Sequence, residues 1–171
     1  MGGVDYQTIL VALRDDILTM PPLQQTDPSA SGNVSQLATV SADAVFKTNA
    51  RWKKLKIVKD SGELTDEGQG PTDGESFKTK FSCVFSDIDP NSLGNLRLIK
   101  NKDLVLLVTD RNSRCRIVGH EIPARLVTPK VMTGKAPTDA RGIEMNFECD
   151  SNYPAPVYTG AKDETGSGSA N

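Results

Sequence analysis

Alternation of apolar and polar positions is the clearest pattern in this chain. In Ile143-Glu-Met-Asn-Phe-Glu-Cys149 every second residue is apolar. Ile143, Met145, Phe147 and Cys149 therefore share one face of a strand, and Glu144, Asn146 and Glu148 share the other. Phe77 to Phe85 repeats the pattern, with Phe77, Phe81, Cys83 and Phe85 set against Lys78, Lys80 and Ser82. Asp103 to Thr109 differs, because its Leu-Val-Leu-Leu-Val run is unbroken and predicts a strand buried on both faces. The polar turn Asp110-Arg-Asn-Ser113 returns the chain through Arg114 to Gly119 as a hairpin. Arg51 to Val58 reads as a strand carrying Arg51, Lys53, Lys54 and Lys56, with the single Trp of the chain near its start. Short strands are expected near Ala124 to Val127 and around Ala155 to Tyr158.

Two segments carry a helical pattern. Tyr6, Ile9, Leu10, Leu13 and Ile17 recur at spacings of three and four, which predicts an N-terminal helix over residues 4–19, stopped by Pro21-Pro22. Packing on its own domain and docking on a neighbouring subunit both suit such a helix. Asp87 to Lys100 opens with capping residues and a Pro, then spaces Leu93, Leu96 and Ile99 by three, as a short helix does. Pro21 to Asn33 has the composition of a linker, and residues 34–49 show no clean period. Asp60 to Glu75 holds six carboxylates and four glycines in sixteen residues and reads as an unstructured polar loop. Its acids lack the offsets of an EF-hand, and a loop of this length points to contact with a partner. The expected architecture is mainly β: a β-sandwich or rolled sheet with one flanking short helix and an N-terminal helix. The expected division is a helix-and-linker arm over residues 1–33, an assembly domain over 34–160 and a flexible tail over 161–171.

Composition narrows the function classes. The chain has 171 residues, 37% hydrophobic and 5% aromatic, so one modest core is expected. A net charge of −2 supplies no basic field to recruit nucleic acid. No run approaches the roughly 18 apolar residues of a membrane span, and the acid at Asp5 argues against a secretory leader. Cys83, Cys115 and Cys149 are far apart, odd in number and set among apolar neighbours. They read as buried thiols in a reducing compartment, not as a disulfide framework or a zinc site. His120 is the single histidine, and it stands at a strand end beside Glu121, where a surface or hairpin-end histidine is the ordinary reading. No nucleotide-binding glycine motif precedes a helix. The expectation is a protein without catalysis, cofactor or metal, whose work is done by surfaces.

The order of these features resembles that of tail-tube proteins of tailed bacteriophages, most nearly those of phages of Bacteroidetes. The likeness is carried by Trp52-Lys-Lys-Leu55, Ser61-Gly-Glu-Leu64, Asp73-Gly-Glu-Ser-Phe77, the Leu104 to Gly119 hairpin, Thr133-Gly-Lys135, Asp139-Ala-Arg-Gly142 leading into Ile143 to Phe147, and Pro154-Ala-Pro-Val-Tyr158, and it spans residues 45–160. The resemblance implies a β-sandwich subunit assembling as stacked hexameric rings into a channel for DNA. It implies residence in the virion tail, assembly in the cytoplasm of a bacterial host, contact with other virion proteins and transient, non-specific contact with DNA. Under it, Lys78, Lys80, Ser82, Glu144, Asn146 and Glu148 are candidates to face the lumen. Glu63, Asp66, Glu67, Asp73, Lys135, Arg141, Tyr153 and Tyr158 are candidate subunit contacts. The alternative placements are a neck, tail-terminator or capsid-decorating protein, or the tube of a bacterial contractile injection system.

Overall fold

The computed structural model describes residues 2–30 and 32–163. In chain order the strands are β1 (Val4–Leu13), β2 (Ile17–Thr19), β3 (Thr39–Val40), β4 (Val45–Phe46), β5 (Lys53–Leu55), β6 (Glu63–Gln69) and β7 (Ser76–Phe85). The helix α1 (Pro90–Ile99) follows, then β8 (Leu104–Asp110), β9 (Cys115–Val118), β10 (Arg125–Met132), β11 (Gly142–Ser151) and β12 (Val157–Tyr158). They form a six-stranded sheet in the order β3-β12-β9-β8-β1-β5, a four-stranded sheet in the order β10-β11-β7-β6, and a small β2-β4 pair. The protein is mainly β, with two larger sheets packed face to face.

Strand β8 explains how the layers stack. Leu104, Leu106 and Val108 point into a core shared with Phe81, Cys83, Ile143, Met145 and Phe147 of the four-stranded sheet. Val105 and Leu107 point the other way, into a second cluster with Leu10, Ile117, Val40, Trp52 and Tyr158. Every apolar residue of β8 is therefore buried, as the unbroken run predicts. The second cluster is roofed by residues 17–52, and Phe46 meets Trp52 edge-on with ring centroids 5.2 Å apart. Central strands of this kind carry most of the hydrophobic stabilisation, at roughly 1.5–3 kcal/mol for each fully buried Leu or Val.

Two expectations are corrected here. Residues 4–19 are not an α-helix: Val4–Leu13 is strand β1, paired with β8 on one side and β5 on the other, Arg14–Asp16 is a single 3-10 turn and Ile17–Thr19 is β2. Ile9 and Val11 face one core, Leu10 and Ala12 the other. A strand buried on both faces loses its two-residue alternation, and the surviving spacings imitated a helical stripe. β1 lies inside the six-stranded sheet, between β8 and β5. Asp60 to Glu75 is likewise not unstructured throughout, since β6 pairs with β7 over its whole length. Only Leu64 gives β6 an apolar face of its own, so no periodicity betrayed it.

β5 covers only Lys53–Leu55 of the expected Arg51 to Val58 strand, whereas α1 matches its pattern. Asp89 caps α1 by accepting a hydrogen bond from the Ser92 N–H at 2.7 Å, and Pro90 occupies the first turn, where its missing donor costs nothing. β10 is longer than expected and bulged between Val127 and Lys130, where Thr128 takes a φ of 43° before Pro129. A bulge and a proline are tolerated because β10 is an edge strand. β11 starts at Gly142, where an added Cβ would lie 2.1 Å from the Phe85 carbonyl oxygen, so only glycine lets the strands close. The three cysteines are free and buried, and burial pushes the Cys83 thiol up to about 12. The expected tail from residue 161 falls mostly on 164–171, which lie outside the described residues.

Leu106→Ala should lower the unfolding free energy by about 2–5 kcal/mol, the usual cost of a core cavity. Leu18→Ala, at a position 62% exposed, should change it by no more than about 0.5 kcal/mol. Urea titration followed by Trp52 fluorescence measures both.

Candidate assembly surface

The outer face of the four-stranded sheet collects all six candidate lumen residues. Register sets Lys80 opposite Glu148, Ser82 opposite Asn146 and Val84 opposite Glu144, with Lys78 opposite Asp150. β6 extends the rows with Glu63 beside Ser82, Thr65 beside Lys80 and Glu67 beside Lys78. β10 adds Arg125 beside Glu148 and Lys130 beside Glu144. Lys78 pairs diagonally with Glu148 and Lys80 with Glu67, each at 3.1 Å. The hydrogen bond and charge of Glu148 raise the Lys78 pKa above its usual value. The face thus interleaves four cations (Lys78, Lys80, Arg125, Lys130) with five carboxylates (Glu63, Glu67, Glu144, Glu148, Asp150). It is polar and nearly balanced in charge.

The two edges of this sheet differ in sign. β6 exposes Glu63 and Glu67, while β10 exposes Arg125 and Lys130 and leads into a loop exposing Lys135 and Arg141. That loop is ordered by Asp139, whose carboxylate accepts the N–H groups of Lys135 and Ala136 at 2.8 Å each. The Ala136 and Lys135 hydrogen bonds hold the Asp139 carboxyl below its usual pKa. Asp73 is exposed in the tight turn between β6 and β7.

Three candidate contacts are placed otherwise. Asp66 points inward and accepts from Thr79 Oγ1 at 2.5 Å, from the Ala155 N–H at 3.2 Å and from the Arg116 guanidinium. It is an internal anchor because a strand's alternate residues face opposite sides, and Glu63 and Glu67 take the outer one. Tyr158 is 2% exposed in the second core, with its hydroxyl donating to the Ala161 carbonyl at 2.9 Å. Tyr153 is half-buried, its hydroxyl 2.7 Å from His120 Nδ1. Burial, with the nearby Glu121 charge, pushes the Tyr153 phenol up to about 12. His120 Nε2 lies 2.6 Å from the Pro21 carbonyl oxygen. That oxygen only accepts, so Nε2 carries a proton and donates to it, while Nδ1 meets the Tyr153 hydroxyl. The histidine clasps the roof of the second core to the β11–β12 connection.

Arg116 escaped the sequence reading, because one arginine in a hairpin carries no pattern. From β9 it crosses to the other sheet, donating from Nε and Nη2 to the Ala155 carbonyl at 3.0 and 2.9 Å as well as pairing with Asp66. It fastens the edge strand β6 to the central sheet. Among the described residues, no three His, Cys, Asp or Glu side chains gather as a metal site would need. No described helix is long and apolar enough to cross a membrane. Comparison with protein-family models, curated proteins and solved structures returns no match.

Arg116→Ala leaves Asp66 partly buried without its cation, a change that costs several kcal/mol for fully buried pairs and less here. Amide exchange should accelerate in Glu63–Gln69 well before it does in Leu104–Asp110. Equal acceleration in both would show that the pair does not hold β6 specifically.

Proposed function

We propose that this chain is a structural virion subunit that polymerises, as stacked hexameric rings, into a phage tail tube through which DNA passes. The observation that carries the reading is the four-stranded sheet, with its charge-balanced polar outer face and two edges of opposite sign. An unpaired strand edge presents a row of free N–H and C=O groups, a standing template for another strand. When an acidic edge meets a basic edge the contact is heterologous, and repetition closes a ring or winds a filament. Ring closure would carry the polar face round to the inside as a wall. Apart from Val84, the apolar residues of β7 and β11 alternate onto the inner face of the sheet, so that wall would be wet. With carboxylates interleaved among its lysines, it neutralises few phosphates, and phosphate neutralisation is what holds DNA to a protein. DNA would slide along such a wall and not adhere to it.

Negative-stain microscopy and sedimentation velocity of the purified subunit test the proposal. Rings or tubes with a central channel are expected. A species that stays monomeric at millimolar concentration overturns it.

The wall chemistry has its own test. Wild-type protein should retain no duplex DNA at about 150 mM salt. Glu63→Lys combined with Glu144→Lys should create retention that weakens steeply as salt rises, measured by gel shift or anisotropy. Strong retention by the wild type would contradict the sliding-wall reading.

A further inference from the structure

The two ends of β7 carry complementary surfaces. At one end the β6–β7 connection forms a compact knob. Gly70 has a φ of 104° and Asp73 one of 69°, and the Gly74 N–H donates to the Pro71 carbonyl at 3.0 Å. Pro71, Asp73 and Glu75 are all exposed on it, and neither acid forms an ion pair with a described residue. At the other end, beyond Phe85, a cavity of ≈ 280 Å³ opens between α1 and β5. Its floor is apolar, with Val11, Leu55, Phe85 and Met145, and Leu98 stands exposed at its edge; Arg51, Lys53, Lys54 and Lys56 line it together with two acids, Asp16 and Asp87, so cations outnumber carboxylates four to two. Those three lysines are exposed and form no ion pair with a described residue. β7 has ten residues, which sets knob and cavity about 30 Å apart along one strand direction.

We infer that the β6–β7 knob of one copy seats in the basic-rimmed cavity of the next copy, a head-to-tail contact along the direction of β7. Pro71 meets the apolar floor, while Asp73 and Glu75 meet the lysines. The occupant is a second copy of this chain because the acids and the cations that form no ion pair with a described residue belong to the same molecule, at opposite ends. A pre-formed turn also loses little conformational freedom on docking. The two surfaces lie at different places on the subunit, so the contact is heterologous, and because they lie at opposite ends of β7 its repetition along that direction builds an open stack. This rests on the tube reading and adds the contact by which one ring stacks on another.

The experiment uses charge reversal on the full chain. Asp73→Lys with Glu75→Lys alters the knob, and Lys53→Glu with Lys54→Glu alters the cavity rim. All four residues are exposed, and unchanged melting temperatures confirm that the variants fold. Each pair alone should abolish tubes while rings persist, and all four changes together should restore tubes. A second readout joins Asp73→Cys subunits to Lys54→Cys subunits, which should form an intermolecular disulfide on mild oxidation, the native thiols being buried. Tubes that form normally from either reversed pair overturn the docking and leave the tube reading intact. Loss of rings along with tubes, or no recovery in the fourfold variant, also overturns it. If decanoate fills the cavity of assembled wild-type tubes without disturbing them, the cavity is a small-ligand site and the docking is wrong. If the wild type forms neither rings nor tubes, both readings fall together.

Discussion

Burial of the centre of the six-stranded sheet on both faces is the constraint from which the rest of this structure follows. β8 has no solvent side, so each of its apolar residues must meet a layer, and two layers are needed. The four-stranded sheet supplies one. The other is assembled from short and irregular pieces, namely Ile17, Val40, Trp52 and Tyr158 with the loops that carry them. Such pieces bury little alone, so they are held by specific bonds. The His120 contacts to Tyr153 and Pro21 and the Tyr158 hydroxyl contact to Ala161 serve that purpose. A chain with few aromatic residues places its Trp and one of its tyrosines where this roof has to be closed.

The division of labour between the sheets has a functional consequence. Because the central sheet is covered twice, only the four-stranded sheet offers a broad, regular, solvent-facing surface. That surface is rigid for the same reason that it is available, since its inner face is packed against the core. Its β6 edge contributes little apolar area and is instead fastened by Asp66 to Arg116, Thr79 and Ala155. A polar anchor is the economical way to hold an edge whose outer face must stay charged. An edge so held keeps its backbone groups aligned, as the proposed edge-to-edge assembly would require.

Legibility in the sequence followed exposure. β7 and β11 were read correctly, together with the residues on each face, because one face is packed and the other is wet. α1 was legible from its cap and proline, and the β8–β9 hairpin from its apolar run and polar turn. β1 was misread because burial on both faces erased alternation and left spacings that matched a helix. β6 was missed because its pairing partner and its internal anchor, not its own apolar content, make it a strand. Asp66 and Glu67 are neighbours of one chemical type, yet one lies inside and one outside, a matter of register that β7 imposes.

By itself, the sequence determined that β7 and β11 have a wet face and what chemistry that face carries, because alternation in a single segment records both. It also determined that the thiols are buried and that one short helix is capped where it begins. Tertiary structure alone decided that β1 lies inside a sheet, that β6 is a strand, and that Asp66 and Tyr158 serve the interior. Each of these depends on partners far away in the chain, and a segment's own residues do not encode the side from which distant ones will approach.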